Sequence, residues 1–262
     1  MSTLPPVIAL PIWLLFVLLV VVAPAAAVGL QVLVRRRWPH LAEGGHNDVA
    51  GFIIAIVGVI YAVLLAFVVI VSWEQFSRAE SVVGQEASAL RGLYRESAAF
   101  PPEVRRQVQT DVRDYVTAVL DHEWAAMGRG EPGHPAVAAV LDRTAEDLAA
   151  LPADSPAREA YVAVEADRFA DVVSYRSQRL DFVDGGLPGV LWVALVFGAA
   201  VTIGFAMIFG LQSTALHVIM TGSLAAVIGV LLFVAVSIDH PFSGDVSVRP
   251  APLERVLADF GR

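Results

Sequence analysis

His122, Glu123 and Trp124 place two good metal ligands side by side, and a zinc hydrolase of the H-E-x-x-H type would need a second histidine one turn further on. Ala126 stands at that position. The triplet is therefore expected as an ordinary helix position, with His122 and Trp124 packed and Glu123 exposed. Other catalytic patterns are also missing. With no cysteine there is no thiolate nucleophile or disulfide. No serine elbow, phosphate-binding loop or dinucleotide fingerprint occurs. Enzyme activity, metals and cofactors are not expected.

The remaining candidates are polar residues in or beside long apolar runs. Glu80 and Glu86 follow one such run, and Arg176 and Arg179 precede the next. An acid here would either close a bundle by pairing with Arg176 or Arg179, or contribute to a charged ring at a pore mouth. Tyr61 lies mid-span, where packing plus a hydrogen bond to a neighbouring helix is the ordinary role. His217 and Thr221 are four apart and share a helix face; an ionisable residue near a membrane is a functional candidate, though His217 lies close to a hairpin. Asn47 or Asp48 is placed to cap a helix start. Finally, Phe52, Ile56, Val63 and Phe67 recur on one helical face that could line a pore as an apolar constriction.

These residues must be positioned by membrane helices. Asp, Glu, Lys and Arg are absent from Met1 through Val34, from Val49 through Trp73 and from Gly185 through Ile238. A span needs about 20 residues, so these blocks predict four transmembrane helices, the last block holding two. No charge falls inside a span, so the proton relay of a coupled pump is missing. The first block lacks the basic start of a signal peptide and runs past its A-x-A-like stretch, which predicts an uncleaved helix kinked near Pro24.

The second span continues without a breaker into "SWEQFSRAE", with Trp73, Phe76, Val83, Ala87, Leu90 and Tyr94 on a near-heptad seam. One helix is expected to leave the membrane and run to about Ala99, where "FPP" stops it. Gly51, Ala55, Gly58, Ala62 and Ala66 give its membrane part a small-residue face suited to close helix packing. Helices are expected at 102–127, 136–151 and 156–184, then at 188–210 and 216–238. An amphipathic tail helix carries Leu253, Val256, Leu257 and Phe260. The chain thus reads as residues 1–73 with two spans, 74–184 as a helical bundle, 185–238 with two further spans, and 239–262 as a tail.

Residues 74–184 hold 20 acids against 12 arginines, a net of −8, which is the formal charge of the whole chain. Nucleic-acid binding needs a basic footprint and is not expected. All 18 basic residues are arginine, and Arg35, Arg36 and Arg37 form the densest cluster. By the positive-inside rule that loop faces the cytoplasm of a plasma or inner membrane, with bundle and termini outside.

The stretches "HNDVAGFIIAIVGVIYAVLLAFVVIVSWEQF", "EASALRGLYRES", "HEW", "YRSQRL", "LPGVLW" and "DHPFSGDVSV" resemble the bacterial bestrophin-like domain family of membrane proteins. That resemblance implies a likeness to bestrophins, which are oligomeric anion channels with the second helix lining the pore and the main non-membrane domain cytoplasmic. An acidic bundle at a pore mouth would instead repel anions.

The expected fold is all-α: a polytopic membrane protein with four transmembrane helices and a helical bundle inserted between the second and third. The expected function is a homo-oligomeric passive ion channel, whose partners are its own copies, the bilayer and inorganic ions. The alternative is a membrane-anchored sensor or scaffold whose bundle binds a partner.

Overall fold

The computed structural model describes residues 10–39, 47–151, 153–208 and 213–260, with the side chains of 47–50 outside that description. The described residues are helical, with no strand among them. Helix α1 spans Ile12–Arg37. Its hydrogen bonding widens into a π turn at Val17–Val22, just before Pro24. Proline brings no N–H and crowds the carbonyl four residues back, and a wider turn relieves both without breaking the rod. The widening thus falls where a kink is expected.

Helix α2 spans Asn47–Glu96, 50 residues without interruption. Nothing in "YAVLLAFVVIVSWEQFSRAE" favours a stop, so the same helix carries the apolar span and the charged stretch after it. Helix α3 covers 102–128 and contains a second π turn at Val119–Glu123. Helices α4 (Pro135–Ala149) and α5 (Pro156–Asp181) both begin with proline at a position whose N–H would be unpaired anyway. The side chains of His134 and Ser155 cap them by accepting from Ala136 N and Arg158 N. Helix α6 is Gly189–Ile208, α7 is Thr214–Ile238 and α8 is Ala251–Phe260.

Among the described residues four helices, α1, α2, α6 and α7, are long and apolar enough to cross a membrane. The chain divides into two compact units, one of Pro5–Glu74 with Gly186–Asp239, the other containing Gln75–Gly185 and His240–Arg262. The membrane unit packs Tyr61, Leu65 and Val68 of α2 against Leu187, Leu195 and Ala199 at α6, and Ile228 and Ala235 of α7. Glycine permits the approach: a Cβ on Gly198 would lie 2.4 Å from Cδ2 of Tyr61, and one on Gly229 only 2.1 Å from the backbone oxygen of Leu19. The expected small-residue face of α2 plays no such part within the chain. Ala55, Ala62 and Ala66 are exposed, and nothing lies within 4 Å of a Cβ placed on Gly58.

In the bundle unit, α2 contributes Ala79, Val83, Ala87, Leu90 and Leu93, while Trp73, expected on that seam, is exposed. Helix α3 presents Val108, Val112, Tyr115, Val116 and Val119. The tail helix docks on this core rather than standing alone: Leu253, Val256 and Phe260 are buried, Phe260 stacks on Tyr94 at 3.6 Å, and Arg113 donates to the Phe260 carbonyl at 2.7 Å.

Candidate functional site

Two features gather the candidate residues: an ionic core in the bundle and an outward apolar face on α2.

The ionic core forms because α2, α3 and α5 each turn a charged residue inward at the same place. Arg179 of α5 is fully buried and grips Glu86 of α2 with two bonds, Nε to Oε2 at 2.6 Å and Nη2 to Oε1 at 3.1 Å. The same Nη2 donates to Oε1 of Glu123 on α3 at 2.9 Å. Arg176, one turn earlier, holds Glu123 from the other side, Nη2 to Oε2 at 2.5 Å. Tyr115 donates its hydroxyl to Glu86 at 2.7 Å, and the backbone N–H of His134 donates to Glu123 at 3.1 Å. The Trp124 ring lies 5.6 Å from the Arg179 guanidinium carbon.

Two carboxylates and two guanidiniums leave this core neutral, so each buried charge has its partner, as low-dielectric burial demands. Burial pushes the Glu123 carboxyl up, but the hydrogen bonds and charges of Arg176 and Arg179 outweigh it and hold it below the usual range. Burial would lower Arg179; the charge of Glu86 and its hydrogen bonds raise it instead. Burial and the neighbouring Glu86 carboxylate push the Tyr115 hydroxyl well up. The arrangement holds helices together and offers no free acid or base for proton transfer.

The pairing expected for Glu86 with the α5 arginines is present. Glu80 is exposed and stands apart. For the His122 triplet the expectation holds for Trp124, which packs against the core, and reverses for the other two: Glu123 is buried and His122 exposed. The π turn at Val119–Glu123 is the cause, because one added residue rotates the remainder of the helix by about 100°. Seven residues after Tyr115 a regular helix would present His122; the widened helix presents Glu123. Among the described residues no group of three or more His, Asp or Glu is placed to hold a metal.

Glu165 of α5, which no sequence pattern singled out, is fully buried, and neither carboxylate oxygen has a hydrogen-bond partner among the described residues. Burial, then the charge of Glu96, pushes its carboxyl up to about 8, against the opposing pull of Arg168.

On α2, Phe52, Ile56, Val63 and Phe67 are 71, 47, 65 and 58% exposed, and Val59 and Ile70 extend the same stripe. Beyond Trp73 this face turns polar, with exposed Glu74, Ser77, Ser81, Gln85 and Ser88. The opposite face is the buried one, from Tyr61 through Leu65, Val68 and Ser72 to Ala79, Val83, Glu86 and Leu90. Tyr61 packs as expected, but its hydroxyl has no hydrogen-bond partner among the described residues. The capping role assigned to Asn47 or Asp48 falls on side chains that lie outside the described ones. His217 and Thr221 are both buried; Arg35 Nη1 lies 3.3 Å from Nδ1 of His217, and the Ala206 carbonyl 2.9 Å from its Nε2.

A family model described as Bestrophin-like domain matches residues 21–253. No curated protein matches the chain. Among solved structures, a bacterial bestrophin homologue from Klebsiella pneumoniae, determined by zinc phasing, is 12% identical with a TM-score of 0.69, covering 92% of this chain and 97% of that one. Two single-site variants of the Klebsiella pneumoniae homologue also align. One has TM-score 0.73 at 10% identity, covering 96% and 99% of the two chains. The other has 0.67 at 13% identity, covering 98% and 100%. At such identities the likeness is one of fold.

Proposed function

The chain belongs to the bestrophin-like domain family, and on that premise we propose that it is a passive ion channel, a homo-oligomer whose pore is lined by α2. The observation that carries the reading is the outward stripe of α2, apolar from Phe52 to Ile70 and polar after Trp73. A face this apolar is suited to a bilayer, a neighbouring copy or a narrow dewetted pore. Its passage into a polar face along the same helix fits a constriction opening into a wetted vestibule. Phe52, Ile56, Val63 and Phe67 are the constriction residues, and Glu80 is the candidate for a charged ring. The absence of charges within the spans is compatible with passive conduction and gives no support to coupled pumping.

Polar substitution should wet the constriction. Ile56→Ser or Val63→Ser is expected to raise ion flux through purified protein in liposomes severalfold at the same oligomer content. Unchanged flux in both variants would count against α2 as the pore. Silence of folded, oligomeric wild-type protein under both potassium and chloride gradients would favour the anchored sensor or scaffold.

The cluster Arg35 to Arg37 orients the channel with its α1–α2 loop in the cytoplasm and the bundle and termini outside. Because the native chain has no cysteine, a single cysteine at exposed Glu131 reports the side directly. Labelling by a membrane-impermeant maleimide in intact cells is expected, and labelling only after permeabilisation would reverse the orientation.

A further inference from the structure

Every backbone N–H at the first four positions of α4 ends on His134. Pro135 has none, Ala136 donates to Nδ1 of the His134 ring at 3.2 Å, and Val137 and Ala138 donate to the His134 carbonyl at 3.1 and 3.3 Å. His134 is thus the N-cap, in the extended conformation a cap requires. It also ties the loop before it to the ionic core, since its own N–H donates to Oε2 of Glu123 at 3.1 Å. Gly133, at φ +97°, brings the chain so close there that a Cβ would lie 3.5 Å from Nη2 of Arg176 and 3.8 Å from Oε2 of Glu123.

An imidazole is an unusual cap. Serine, threonine and asparagine accept at a helix start whatever the pH, whereas histidine accepts at Nδ1 only while that nitrogen carries no proton. With Nδ1 accepting from Ala136, the proton of the neutral ring sits on Nε2. A second proton puts an N–H in front of the Ala136 N–H and a positive charge at the positive end of the α4 dipole. The cap bond and the second proton therefore exclude one another.

The groups around the ring favour the same outcome. His122 of α3 lies nearly parallel to it, with ring centroids 5.2 Å apart and planes at 19°, so two charged imidazoles there would repel. Glu123 of α3 already has Arg176 and Arg179 of α5 as partners. In the loop, exposed Glu131 pairs with Arg129 at 3.0 Å, and its carboxyl is held below the usual range by Arg129 first and by His134 in smaller measure. A charged His134 ring is thus drawn off the helix end towards solvent and Glu131.

We propose that His134 is a proton-operated latch on the loop at 129–134. Neutral, it caps α4 and holds the loop over Glu123 and Arg176; protonated, it leaves the cap and the loop opens. The open form binds the extra proton, so the latch is closed at higher pH and opens as pH falls, across the range of about pH 5 to 8 in which histidine changes charge. The latch lies wholly within the bundle unit and works whether or not the chain conducts.

Hydrogen exchange of the full chain in detergent at about pH 5.5 and about pH 7.5, corrected for the intrinsic pH dependence of exchange, tests it. Residues 129–138 are expected to exchange several-fold faster at the lower pH, while 108–118 of α3 keep their protection. Equal protection of 129–138 at both values would overturn the proposal. His134→Asn, whose side chain caps without titrating, should remove the difference, and a difference that survives it would equally overturn the latch. His122→Asn should keep the difference; its loss there would place the titration on His122 rather than on the cap. Should His134→Asn not fold, His134→Ser carries the same comparison.

Discussion

Arg179 sits where two carboxylates converge, and its removal would leave Glu86 and Glu123 buried around a lost cation, a situation that typically costs about 3–5 kcal/mol. Three of the four charges of this core, Glu86, Arg176 and Arg179, were legible in the sequence. Glu86 and Arg179 stand on inward faces of two regular helices, and the 3.6-residue period alone brings them together. Glu123 was not legible, because the period that describes α3 up to Val119 changes within the π turn, and nothing in "VLDHEW" announces it. Glu165 was hidden for another reason: a buried acid without a hydrogen-bond partner among the described residues looks, in the sequence, like any surface acid in a charged helix. Its carboxyl is pushed from 4.5 to about 8, so the folded state prefers the protonated form. Stability from this group is complete below about pH 4.5 and falls as pH rises, because the unfolded chain ionises first; the loss levels off above about 8. Glu165→Gln removes the titration. Its unfolding temperature relative to wild type is expected to climb between pH 5 and 8 in detergent, and a pH-independent difference would mean that Glu165 does not titrate with folding.

At the scale of elements, the four long apolar helices and the uninterrupted α2 follow from runs of residue type and from the absence of breakers. Which faces meet does not follow so simply. The small-residue stripe from Gly51 to Ala66 offered the clearest packing surface in the sequence, yet within the chain the close approaches use single glycines set in otherwise bulky helices, Gly198 beneath Tyr61 and Gly229 beneath Leu19. A regular stripe advertises a possible contact, whereas a lone glycine becomes meaningful only when its partner is known. The two kinds should respond differently to one methyl group. Gly229→Ala must displace backbone 2.1 Å away and is expected to lower the yield of folded protein and its unfolding temperature by several degrees. Gly58→Ala adds its methyl to open space within the chain. It should leave the fold intact, so any loss there should appear in oligomer content by size-exclusion chromatography. Equal destabilisation by both substitutions would contradict the packing described.

Over the whole molecule the spans carry no charge and the stretch from Glu74 to Asp184 carries all of the net −8. The neutral core of Glu86, Glu123, Arg176 and Arg179 uses two acids and two arginines, so burial of that core leaves the imbalance for the rest of the bundle to carry. An excess of exposed carboxylates near a conduction path concentrates cations and depletes anions over roughly a Debye length, about 8 Å at physiological ionic strength. The reading as a channel therefore leads to a selectivity opposite to that of the anion channels the family resemblance brings to mind. Potassium flux should exceed chloride flux through the purified protein, and the preference should shrink as salt is raised, since screening weakens a diffuse field more than a closely coordinating filter. Glu80→Gln should reduce the preference at low salt while leaving total conductance within about a factor of two, because one neutralised ring alters local ion concentration but not the apolar constriction. Chloride preference at low salt would show that the acidic bundle does not govern the permeating ions, and that selectivity lies in the span itself.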